Sequence, residues 1–128
     1  MAVESRVGAR LAGSLLKVEG AVGVVAWRLG ELPVERWTEG EPSPVAGRVI
    51  AALTGSLEKG LEDLGMGQLG QIWWQTDEIQ CVGFRAGDWQ VLVLAKAEVD
   101  TGSLRTGVAG VLEKMWEAGS LSGREEPT

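Results

Sequence analysis

The chain has 128 residues, 45% of them hydrophobic, and a formal net charge of −6 at pH 7. A single domain of that length buries roughly two-thirds of its unfolded surface without disulfide or metal staples. The acidic balance counts against nucleic acid as a partner. The lone Cys81 leaves no internal disulfide or cysteine-based metal cluster, and the lack of histidine removes the commonest general base and metal ligand near neutral pH. No apolar run approaches the ~18 residues of a membrane span. Residues 1–6 lack the basic-then-apolar order of a signal peptide, so the expected place is the cytoplasm, without membrane insertion.

Val7, Leu11, Leu15 and Val18 recur at helical spacing, with Arg6, Arg10, Ser14 and Lys17 off the stripe; this predicts an amphipathic helix over 4–18. Gly8 and Gly13 weaken it by about 1 kcal/mol each relative to alanine. Residues 21–29 read as a strand, with Val22, Val24 and Ala26 on one face and Ala21, Val25, Trp27 and Leu29 on the other. Both faces are apolar, so the strand belongs at the centre of a sheet. After the turn Gly30-Glu31-Leu32-Pro33, residues 34–38 form a short charged strand. Pro33 at its start suits an edge.

Ser43-Pro44 supplies an N-cap and a first-turn proline for a helix over 45–64. Its stripe of Ala46, Ile50, Leu53, Leu57, Leu61 and Leu64, widened by Val45, Val49 and Ala52, is expected to face the core. Arg48, Glu58 and Glu62 are expected on the opposite side. Gly65-Met66-Gly67-Gln68-Leu69-Gly70 has the spacing of a dinucleotide loop, but a helix precedes it and a strand follows. That order is the reverse of what brings a helix N-terminus to the phosphates, so the glycines read as a helix stop and a turn.

Three strands follow in a meander, 69–76, 79–85 and 89–96, divided by Asp77-Glu78 and Ala86-Gly87-Asp88. The last is apolar on both faces. Asp100-Thr101 caps a final helix with an inner stripe of Leu104, Val108, Val111, Leu112 and Met115. The chain is therefore expected to be one domain over 1–118 with a flexible tail over 119–128. The order α-β-β-α-β-β-β-α, with the two doubly apolar strands adjacent, predicts an α/β (α+β) fold. Its five-stranded antiparallel sheet has the order 2-1-5-4-3, with helices on both faces.

Strand 69–76 then lies at an edge. Trp73 and Trp74 point to opposite faces, and no spare segment covers them, so the edge is expected to pair with a second copy of itself. Adjacent carboxylates occur at Asp77-Glu78 in a turn and at Glu125-Glu126 in the tail. Neither place holds a pair rigidly enough for acid–base work, so no enzyme, no catalytic residue and no cofactor is expected.

Four segments carry a resemblance that spans about residues 7–116. They are Glu19-Gly20-Ala21-Val22-Gly23-Val24-Val25, Leu29-Gly30-Glu31-Leu32-Pro33-Val34, Trp89-Gln90-Val91-Leu92-Val93-Leu94 and Gly102-Ser103-Leu104-Arg105. In their order and spacing the chain resembles the Roadblock/dynein light chain family, a group with a profilin-like architecture. It departs from the family in Asp100-Thr101, where Asn-Leu is frequent, and in its six tryptophans.

The resemblance implies a non-enzymatic dimeric regulator or scaffold that binds a Ras-like small GTPase; other members link cargo to dynein motors. It also implies paired second helices. Strand 69–76 and helix 45–64 would then form the dimer surface, with Val49, Ala52, Ser56, Ile72, Trp73 and Trp74 in it. Arg48 and Glu62 are candidates for the GTPase-facing side. The alternative is a small-molecule sensor of profilin-like type, in which tryptophans and Cys81 line an apolar pocket. Against that stands ordinary core packing of Trp27, Trp89 and Trp116.

Overall fold

The computed structural model describes residues 6–28, 30–38 and 46–119. Ser43-Pro44, Val45 and the tail from residue 120 lie outside the described residues. The elements are α1 (Arg6–Leu16), β1 (Ala21–Trp27), β2 (Val34–Trp37), α2 (Ala46–Asp63), β3 (Gln71–Gln75), β4 (Ile79–Ala86), β5 (Trp89–Lys96) and α3 (Thr101–Glu117). The five strands form one antiparallel sheet in the order β2-β1-β5-β4-β3, as the pattern of doubly apolar strands required. Among the described residues no helix is long and apolar enough to cross a membrane.

The sheet separates two cores. On one face α1 and α3 bury Leu11, Leu15, Leu104 and Val108 against Val24, Ala26, Val82, Val91 and Val93. On the other, α2 lies over Val25, Cys81, Leu92 and Leu94. β5 is buried along both faces up to Ala95, so Val91 and Val93 feed the first core and Leu92 and Leu94 the second. Trp89 is buried in the first core, and Trp27 is half-buried against the second. Trp116, expected to be packed, is exposed on the last turn of α3.

One facing assignment in β1 is corrected. The ladder to β5 slips between Ala21 and Gly23, where a β-bulge breaks the alternation. Ala21 therefore joins Val24 and Ala26 on the α1/α3 side, and Val22 packs with Val25 and Trp27 on the α2 side. Gly23 admits the bulky neighbour across the strands: it pairs with Trp37, and a Cβ there would stand 2.1 Å from the Trp37 ring.

Local chemistry sets the helix ends. Met66 N–H donates to Leu61 O and Gly65 N–H to Glu62 O, a Schellman closure that needs the left-handed Gly65 at φ 72°. The glycine run is thus a helix stop leading into a strand. Asp100 caps α3: its carboxylate accepts from Ser103 N–H and Oγ–H, which holds its pKa below the usual carboxylate value.

Burial decides the chemistry of Cys81. Desolvation in the α2-side core pushes its thiol from the ordinary 9.0 up to about 12. Below pH 9 both folded and unfolded chains keep this proton. Between about pH 9 and 12 only the unfolded chain releases it, so stability falls as pH rises through that window. In the folded protein, thiol labelling at neutral pH is expected to proceed only at the rate of unfolding. Fast stoichiometric labelling would contradict the buried placement.

Candidate interaction surface

α2 carries two stripes, and the sheet takes the smaller one. Gly47, Ala51 and Thr54 are buried, with Ile50 half-buried beside them. The Thr54 hydroxyl donates back to Ile50 O at 2.9 Å, so it needs no partner from the sheet. The bulk on this side comes from the strands, as Trp27, Trp37, Ile72 and Trp74 pack around the small helix residues. At Gly47 the Glu35 carboxylate fills the space a Cβ would need, and it accepts from Trp37 Nε1 at 2.9 Å.

The leucine stripe expected in the core is therefore turned outward. Leu53 is 68% exposed, Leu57 43% and Leu64 75%, and Val49 is exposed with them. Glu58, expected on the far side, instead reaches the sheet and pairs with Arg85 at 2.8 Å. The two stripes lie roughly a third of a turn apart, which is why periodicity did not choose between them. The signal for the buried one was the spacing of small residues at 47, 51 and 54.

β3 borders this stripe. Ile72 and Trp74 point to the α2 side, and with Leu53, Thr54 and Leu57 they line an open groove of about 370 Å³. Gln71, Trp73 and Gln75 point to the other face. Trp73 is 44% exposed, and its Nε1 is 3.5 Å from Gln80 Oε1. β3 has β4 on one side only, so its outer edge is open.

With that geometry in place, solved structures decide the architecture. The gliding protein MglB from Thermus thermophilus superposes with a TM-score of 0.72 at 12% identity, over 97% of each chain. A Roadblock/LC7 domain from Streptomyces avermitilis superposes with a TM-score of 0.62 at 20% identity, over 85% of this chain and 94% of that one. The chain has the Roadblock fold. An MglB in a tetrameric arrangement matches with a TM-score of 0.68 at 12% identity, over 94% of this chain and 97% of the other. No family model matches the sequence, and no curated protein does.

On this fold the sequence-predicted residues fall into three places. Val49 lies in the exposed leucine stripe, with Ala52 and Ser56 exposed along its border. Ile72 and Trp74 form the strand side of the groove, while Trp73 stands on the opposite face of the same strand. Arg48 is exposed on the flank of α2 away from the stripe, and Glu62, also exposed, lines the polar pocket under the C-terminal half of α2.

Sequence reasoning missed Leu53, Leu57 and Leu64 as surface residues, and it missed two buried amides. Gln80 is fully buried and bonded: Nε2 donates to Lys96 O at 3.3 Å and Ala97 O at 3.4 Å, and Oε1 accepts from the Thr101 hydroxyl at 2.7 Å. Gln90 is only 3% exposed, and neither amide atom has a hydrogen-bond partner among the described residues. It helps line a polar pocket of about 570 Å³ under the C-terminal half of α2, with Trp27, Glu58, Lys59 and Arg85.

Proposed function

We propose that the protein is a cytoplasmic, non-enzymatic regulator or scaffold that self-associates through α2 and β3 and binds a Ras-like small GTPase. The observation that carries the reading is the exposed leucine stripe of α2, continuous through a groove with the open, uncharged edge strand β3. Contiguous apolar surface of this kind marks an interaction site, and an unpaired apolar edge needs a cover. The fold shared with MglB, one structure of which is tetrameric, supports an assembly. The Roadblock resemblance supports a GTPase as the further partner. Pairing through the stripe and β3 would leave Arg48, exposed on the flank of α2, and Glu62, exposed at the polar pocket, open to that partner. The one cysteine is no nucleophile: it is buried, with its thiol held protonated well above neutral pH.

The test is binding of the purified protein to Ras-like small GTPases of the same organism, loaded with GDP or a GTP analogue, with turnover followed in the same samples. Nucleotide-dependent binding is the expected result, and faster hydrolysis would make the protein an activating partner. Failure to bind any of them would remove the GTPase from the reading.

One observation favours the small-ligand alternative: the unpartnered, buried Gln90 amide beneath a pocket walled by Trp27 and the Glu58–Arg85 pair. Cys81 does not line that pocket. Quenching of tryptophan fluorescence by a small ligand, without any GTPase binding, would move the assignment there.

A further inference from the structure

Three neighbouring strands set Trp27, Gln90 and Arg85 in one row beneath the C-terminal half of α2. Trp27 of β1 and Arg85 of β4 are both paired with Gln90 of β5. All three line the polar pocket of about 570 Å³, a size in the range of small-molecule sites, roughly 300–1,000 Å³. The helix does not close down on this row. At Gly47 the Glu35 carboxylate fills the space beside the missing side chain, but at Gly55, which borders the pocket, a Cβ would meet nothing within 4 Å. Glu58, further along the same wall, is held by Arg85 at 2.8 Å.

The walls select against negative charge. Arg85 is paired with Glu58, Lys59 with Asp63 at 3.4 Å, and Arg28 with Glu31, so the cations bordering the pocket each face a carboxylate already. Glu62 and Asp88 add negative charge at the exposed rim. The floor offers an uncharged pair instead. Gln90 is 3% exposed, and neither of its amide atoms has a hydrogen-bond partner among the described residues. A buried amide in that condition has lost its bonds to water and gained none in return. Its oxygen accepts and its nitrogen donates, side by side. The complement is a cis-amide, or lactam, edge whose N–H donates to Oε1 and whose carbonyl accepts from Nε2. Trp27 adds an aromatic wall, which suits a flat ring. Rotation about the glutamine's own torsions is enough to turn the amide to such a ring.

We infer that this pocket binds an uncharged planar heterocycle with a lactam edge, the edge that nucleobases and flavin rings share, and that Gln90 reads it. The inference rests on the unpartnered amide and not on the self-association or GTPase reading, so each fails without the other. No residue of the exposed leucine stripe lines the pocket, and the ligand and a second copy occupy different surfaces of α2.

The test is titration of the isotope-labelled full chain with inosine, uridine and riboflavin, read by nuclear magnetic resonance at the Gln90 side-chain amide and the Trp27 indole. Movement of both signals is expected. Inosine or uridine moving them points to a nucleobase as the source of the edge, and riboflavin alone to a flavin. For the probe that binds, methylation of the ring nitrogen of that edge should weaken binding by about tenfold or more, because it leaves Oε1 unmet. The phosphorylated form should also bind more weakly. No movement with any of the three at millimolar concentration would overturn the inference. So would equal binding of the methylated form, or tighter binding of the phosphorylated one. Two variants add independent readouts. Gln90→Leu should raise the thermal midpoint, because an unmet buried amide is gone, and weaken binding by about tenfold or more. A lowered midpoint would mean that the amide is satisfied without a ligand, and would count against the site. Gly55→Leu should stay folded, since nothing stands where its side chain begins, and should block the pocket. Undiminished binding in a folded Gly55→Leu would place the ligand elsewhere and sink the inference.

Discussion

Leu57→Glu should turn a self-associated protein into a folded monomer. Leu57 stands in the middle of the exposed stripe and on the wall of the groove it shares with Ile72 and Trp74. In an isolated chain the side chain is 43% exposed, so a carboxylate there meets water, and folding stability should change by no more than about 0.5 kcal/mol. Within a paired surface the same carboxylate would be desolvated against a second copy of the stripe. Central interface residues carry about 2 kcal/mol or more, so self-affinity should fall by roughly 30-fold at least. Light scattering or analytical ultracentrifugation reads the mass, and circular dichroism reads the fold. Glu62→Ala, at an exposed position of α2 beside the polar pocket and away from the stripe, should leave the mass unchanged. If Leu57→Glu unfolds the chain instead, the leucine stripe is core after all. If it stays folded at the parent mass, α2 is not the contact.

The second large effect concerns Gly8, where two physical terms oppose one another. Helix propensity alone says that Gly8→Ala stabilises α1 by about 1 kcal/mol. Packing says otherwise. A Cβ on Gly8 would stand 2.8 Å from Trp89 Cη2 and 2.9 Å from Val34 Cγ2, both on buried side chains with nowhere to move. Overpacking of that kind costs about 1–3 kcal/mol. The expected outcome is net destabilisation, with a lower denaturation midpoint and an unchanged slope. Gly13 is the control on the same helix. A Cβ there meets nothing within 4 Å, so Gly13→Ala should stabilise by about 1 kcal/mol. Opposite signs at two glycines five residues apart are expected. Equal stabilisation at both would mean that α1 does not sit on Trp89 as described.

These glycines also mark the boundary of what the sequence could say. Both read alike along the chain, as weak points in a helix, because propensity is a property of the backbone alone. Trp89 lies 81 positions away from Gly8, and nothing local to α1 announces that it will arrive there. The same holds for Gly23, whose missing side chain admits Trp37, and for the bulge beside it that reverses the facing of Ala21 and Val22. By contrast, the Gly65 stop and the Asp100 cap were legible, because a helix end is closed by residues three to five positions away.

Local patterning by itself determined the order of elements, the hairpins of the meander, the two central strands and hence the sheet order with β3 at an edge. Each of these follows from alternation, turn chemistry or the need to cover an apolar face, all of which are written within a few residues. Only the tertiary structure decided which stripe of α2 is buried. Two stripes on that helix were apolar enough, and the choice depended on the sheet beneath. Trp27, Trp37, Ile72 and Trp74 already fill that face, so a close-packed helix must present Gly47, Ala51 and Thr54 and turn its leucines outward. The candidate surface exists because of that choice.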